Sequence, residues 1–158
     1  MTHVLSVDPG VRSAWALWDR SSLARHGRLE NADVCSVFAL LGELLPDWRG
    51  ASVVVEGQWL RRQGLNPGAH FGAVLRLIEG RCAWQHAAEL AGAAVEVIDP
   101  GRWIPAVSRG APGDTPSERV RWICDRRFPG VARSNDEAAA IMLGAWWLAR
   151  RGPRENAA

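Results

Sequence analysis

The sequence predicts an α/β protein: a mixed sheet, built from an antiparallel meander of three strands followed by parallel strands, with helices on both faces. Three observations predict it. Short alternating or β-branched stretches come first, separated by turn residues. Apolar runs with helical spacing then alternate with short strand-like runs. The length, 158 residues with 47% apolar and 23% charged, suits one domain with a buried core. Residues 1–151 are expected to form that domain, and residues 152–158 a flexible tail.

The elements follow in order. His3 to Asp8 alternates as a strand, and Asp8-Pro9-Gly10 is a turn, with Pro presetting φ and Gly permitting φ > 0. Ala14 to Trp18 and Ala24 to Leu29 complete the meander. Asp33 to Leu45 places Val34, Val37, Phe38, Leu41, Leu44 and Leu45 on one helical stripe, which Pro46 ends. Ala51 to Glu56 is a continuous apolar run, as expected for a strand covered on both faces. Gly57 to Gly68 reads as a polar loop, Ala69 to Ala91 as a long helix capped by Gly92, and Ala94 to Ile98 as a strand. Asp99-Pro100-Gly101 is a turn, Arg102 to Val107 is undecided, and Ser108 to Gly113 is a flexible loop. Thr115-Pro116-Ser117-Glu118 and Ser134-Asn135-Asp136-Glu137 are two capping boxes, the second opening a last helix to about Arg151.

Composition excludes several classes. Three cysteines (Cys35, Cys82, Cys124) without CxxC do not make a disulfide framework. The histidines show neither HxxxH nor HExxH, so zinc is not expected. The longest apolar run, Ala138 to Ala149, is about a dozen residues against the roughly 20 that span a bilayer. A soluble, cytoplasmic chain with reduced thiols and no membrane partner is expected. Net charge is only +2, but all 19 basic residues are Arg, and nine Trp stand against no Tyr. Codon bias accounts for such usage; so does a need for phosphate clamping and base stacking. From Arg102 to Arg151 nine Arg face five acids, a local excess suited to a polyanion.

Three acids stand where structure does not ask for them. Asp8 ends the first strand, Glu56 ends the apolar strand VVVE, and Asp136 lies in the first turn of the last helix. Charges at the ends of core strands are costly unless paired or bound to metal. Carboxylate clusters suit Mg²⁺ or Mn²⁺, and two such ions ~3.5–4 Å apart activate water at a phosphodiester. Bland roles compete: an Asx-turn for Asp8, an Arg partner for Glu56, dipole complementation for Asp136. Glu137 reads as the capping partner of Ser134. Asp99 copies the context of Asp8 and is a rival ligand.

VLSVDPGVRSAWALWD, VVVEGQWL and SNDEAAAIMLGAWW, in this order, resemble the three motifs of RuvC-type Holliday-junction resolvases, over about Met1 to Arg151. The resemblance implies a ribonuclease H-like fold and a homodimeric, Mg²⁺-dependent (or Mn²⁺-dependent) endonuclease for four-way DNA junctions. It makes Asp8 and Glu56 the first two metal ligands, and Trp59 the aromatic residue of the loop that approaches the junction centre. Trp stacks well on an unstacked base. Arg61 and Arg62 beside it, and Arg102, Arg109 and the loop Ser108 to Gly113, are the expected phosphate contacts. The helix Ala69 to Ala91 is the candidate dimer contact.

The third motif departs from the family. Asp136 takes the earlier acidic position, whereas the later one falls on Ala139, on the same helix face. Either the chain is an inactivated variant or weakened nuclease, or Glu137 or Asp99 stands in. The leading expectation is junction cleavage by Asp8, Glu56 and Asp136. The alternatives are a non-cleaving module for branched DNA and, more distantly, a hydrolase acting on RNA.

Overall fold

A computed structural model describes residues 3–10, 12–57 and 71–151. Trp59, Arg61, Arg62 and the tail from 152 to 158 lie outside the described residues. Alternation in the first strand sets the architecture. In β1 (His3–Asp8), Leu5 and Val7 enter one core layer while Val4 enters the other. β2 (Ser13–Asp19) and β3 (Ser22–Leu29) complete the antiparallel meander. β4 (Ser52–Glu56) runs parallel beside β1, and β5 (Ala94–Ile98) parallel beside β4, giving the order β3-β2-β1-β4-β5. The unbroken apolar run of β4 follows from burial on both faces: Val53 and Val55 join one layer, Val54 the other.

Helices α1 (Val34–Leu44) and α2 (Phe71–Leu90) cover the first face. Asp33 caps α1, its carboxylate accepting from the Ser36 amide at 2.8 Å. Only Val37, Leu41 and Leu44 of the expected stripe are buried in this helix; Val34 and Phe38 are exposed. Gly92, at φ 86°, turns the chain out of α2, and the Ala93 amide donates back to the Ala88 carbonyl at 3.0 Å.

Helices α3 (Pro100–Val107), α4 (Pro116–Arg127) and α5 (Asn135–Arg151) lie on the second face. The sequence left residues 102–107 undecided, and they prove helical. Asp99 is the N-cap, accepting from the Gly101 amide at 2.6 Å, with Pro100 in the first helical position. Thr115 and Glu118 form the expected reciprocal box on α4. On α5 the box is displaced: the Glu137 amide donates to Ser134 Oγ at 3.1 Å, while the Glu137 carboxylate reaches past Ser134 to the Arg133 amide at 2.7 Å. No helix among the described residues is long and apolar enough to cross a membrane.

One buried polar node fixes α5 over the sheet. Ser6 Oγ donates to the Ala140 carbonyl at 2.7 Å and accepts from Trp18 Nε1 at 3.2 Å. A Cβ at Gly144, one turn on, would collide with both the Trp18 indole nitrogen and the Ser6 hydroxyl. The glycine therefore lets helix and sheet approach.

Candidate active site

Strand direction brings the first two acids together. β1 and β4 are parallel neighbours with Val7 beside Val55, so the next residues, Asp8 and Glu56, end adjacent strands at one edge. Both follow the period of Val4 and Val54, on the face covered by α5. The Ser6–Ala140 bond places the first turn of α5, with Asp136, over the same edge. Asp8 registers the convergence. Burial pushes its carboxyl well above the ordinary value of 3.8, and the charges of Glu56 and Asp136 push it further. Glu56 and Asp136 thus lie close enough to oppose the ionisation of Asp8.

Each has a distinct setting. Glu56 is only 8% exposed and accepts a hydrogen bond from Trp103 Nε1 of α3 at 2.8 Å. Trp103 is fully buried, and an indole N–H in that position needs an acceptor. Asp136 is half-exposed and 3.7 Å from Nη2 of Arg28, on β3. The alternative ligands are engaged elsewhere. Asp99 caps α3. Glu137 is buried, caps the chain at Arg133 and lies 3.8 Å from His26 Nδ1. Ala139 is half-buried against the α5-side core and brings no donor atom.

An all-carboxylate set suits a hard divalent cation, which would offset the charge that Glu56 and Asp136 place beside Asp8. Among the described residues, no three His, Cys, Asp or Glu side chains are grouped so that they could hold a metal ion as they stand. The chemistry of the donor set, three carboxylates gathered toward one edge of the sheet, is what suits such an ion.

Of the expected phosphate contacts, Arg102 on α3 and Arg109 just after it are exposed, Arg102 next in sequence to the Glu56 partner Trp103. Ser108, expected in a flexible loop, is buried and caps α3 through the Ile104 carbonyl at 2.7 Å. Part of the C-terminal arginine excess is structural. Arg121 holds Asp125 at 2.9 Å and the Ala132 carbonyl at 2.8 Å, and Arg151 holds Glu96 at 2.7 Å. Arg126 and Arg150 stack on Trp122 and Trp146 at 4.7 and 5.1 Å. Sequence reasoning missed Trp103 and Arg28. The need of a buried indole for an acceptor was the available signal for the first.

Among solved structures, the chain is similar to RuvC of T. thermophilus in complex with a Holliday junction substrate. The TM-score is 0.66 at 19% identity, covering 96% of this chain and 97% of that one. A second Thermus thermophilus RuvC structure matches with a TM-score of 0.64 at 18% identity, over 95% and 96% of the two chains. No protein-family model matches, and no curated protein matches in sequence. The fold is therefore ribonuclease H-like. The mixed five-stranded sheet and its flanking helices are similar in arrangement to those of the RuvC structures.

Proposed function

We propose that the chain is a divalent-metal-dependent endonuclease acting on four-way DNA junctions as a homodimer. The single observation that carries the reading is that Asp8 and Glu56 end adjacent parallel strands on the face covered by α5, with Asp136 in the first turn of that helix, three acids from distant stretches of chain. Asp8, Glu56 and Asp136 hold Mg²⁺ or Mn²⁺. The ion supplies activation of water and stabilisation of charge at the phosphodiester. Trp103 orients Glu56 through its 2.8 Å hydrogen bond. Arg102 and Arg109, with Arg61 and Arg62, hold backbone phosphates, and Trp59 stacks on a base at the junction centre. Exposed Phe38 (48%), Leu75 (39%) and Leu90 (72%) on the α1–α2 side support a twofold contact matching a twofold substrate. Residues 1–151 are the nuclease domain.

The test is a gel assay with a four-way junction, a linear duplex and an RNA–DNA hybrid, with and without Mg²⁺ or Mn²⁺. Metal-dependent nicking of the junction, abolished by Asp8→Asn and by Glu56→Gln in folded protein, is the expected result. Full activity in either variant refutes the assignment, and cleavage of the hybrid alone supports an RNA hydrolase.

A second reading is favoured by Ala139. Where the resemblance calls for a fourth acid, the helix presents a methyl group. A module that binds junctions without cutting them fits that residue. Junction binding without nicking, with cleavage gained in Ala139→Asp, identifies an impaired resolvase. Binding with no cleavage in either protein, metal being bound, identifies the module.

A further inference from the structure

We propose that Arg28 is a phosphate-binding residue of this site, an inference that rests on the nuclease reading. The sheet places it. Asp8 pairs with Ala14 across β1 and β2, and Ala14 pairs with Arg28 across β2 and β3. Glu56, Asp8, Ala14 and Arg28 therefore form one row across four neighbouring strands, on the face covered by α5. Ala14 is small and fully buried, so the row itself carries no bulky side chain between the carboxylates and the guanidinium.

The contact Arg28 makes is loose. Its Nη2 lies 3.7 Å from Asp136 Oδ2, beyond hydrogen-bond reach, and its side chain is 31% exposed. A guanidinium presents five donors in a planar fork that matches two oxygens of a phosphate. One long contact to one carboxylate oxygen leaves most of that fork to another anion. An ion pair this exposed adds little to stability, so the fold does not need it there. The site does need it. Three carboxylates in one pocket repel a DNA backbone, and a cation at the open end of their row offsets that repulsion where a phosphate enters. The other titratable groups facing this corner are Glu137 and His26, which lie against each other at 3.8 Å.

Two consequences have opposite signs. Arg28 competes with a metal ion for Asp136 and attracts the phosphate. The test uses the full chain and its Arg28→Ala and Arg28→Lys variants. Mn²⁺ binding to protein alone is followed by electron paramagnetic resonance. Binding of a labelled four-way junction in EDTA is followed by anisotropy over a salt series, with thermal melts to verify folding. Arg28→Ala is expected to weaken junction binding by about tenfold. It should lower the slope of log affinity against log salt by about one, and bind Mn²⁺ several-fold more tightly. Arg28→Lys should recover part of the junction affinity.

Unchanged affinity and slope in Arg28→Ala, with the wild type binding both ligands, overturns the role of Arg28 alone. Joint weakening of Mn²⁺ and junction binding, with a lowered melting temperature, overturns it in favour of a structural part. A wild type that binds neither Mn²⁺ nor junction overturns the nuclease reading itself.

Discussion

Gly144 offers the sharpest test of how α5 is seated. Replacing glycine by alanine inside a helix ordinarily gains about 1 kcal/mol from backbone entropy. Here the new methyl group would collide with Trp18 Nε1 and Ser6 Oγ, two members of the node that ties α5 to β1 and β2. Overpacking of this kind costs about 1–3 kcal/mol. Displacing the Trp18–Ser6 and Ser6–Ala140 hydrogen bonds costs about 1 kcal/mol each. The clash outweighs the propensity, and Gly144→Ala should lose roughly 2–4 kcal/mol. For a chain of this size each kcal/mol lowers the melting temperature by about 2–4 °C. Gly42 in α1 is the control, because nothing lies within 4 Å of the Cβ it would gain. Gly42→Ala should raise stability by up to about 1 kcal/mol. Urea and thermal melts followed by circular dichroism decide the matter. If Gly144→Ala melts at or above the wild-type temperature, α5 is not seated on the sheet by this contact, and the placement of Asp136 over Asp8 loses its support.

The remaining predictions concern the acids, their partner and the thiols. Asp8 ionises reluctantly in the fold, so the native state binds more protons than the unfolded chain once pH rises above 3.8. Stability contributed by this group is therefore present below that pH and is lost as pH climbs through the raised value. Asp8→Asn should melt higher than wild type at pH 7 without metal, the difference closing toward pH 3; Mn²⁺ should then stabilise the wild type alone. Equal melting temperatures at pH 7 count against a strained carboxylate. Trp103→Phe removes the N–H that Glu56 accepts at 2.8 Å, a loss of about 1.5–3 kcal/mol for a bond to a charged group, readable by urea denaturation. A loss under about 0.5 kcal/mol contradicts that bond. Burial pushes the Cys124 thiol up to about 11, whereas Cys35 is exposed. At pH 8 a thiol reagent should label Cys35 quickly and reach Cys124 only on unfolding, as peptide mapping would show.

The ends of β1 and β4 were legible because each apolar run stops on an acid, Asp8 in one and Glu56 in the other. Asp136 was legible through the Ser134 cap that fixes the start of α5. α3 was not, because Asp-Pro-Gly serves both as a turn and as the opening of a helix, and only the depth of Trp103 separates the two. The Trp103–Glu56 bond joins residues 47 apart, beyond any local pattern. Arg28 was hidden by an irregularity. The pairing of β2 with β3 shifts between Leu17 and Trp18, where Arg25 and Leu23 are partners and Ala24 is passed over. Counting from the turn without that shift puts Gly27 beside Ala14 and sends Arg28 to the opposite face.

The parallel run of β1 beside β4 makes the pocket intolerant of one kind of change. Residue identity within Ser52–Glu56 can drift, with consequences graded by the volume of each replacement. Chain length there cannot. Removing or adding a single residue in the strand would rotate its terminal glutamate from the ledge shared with Asp8 to the side of α1 and α2, leaving a carboxyl buried among valines and tryptophans.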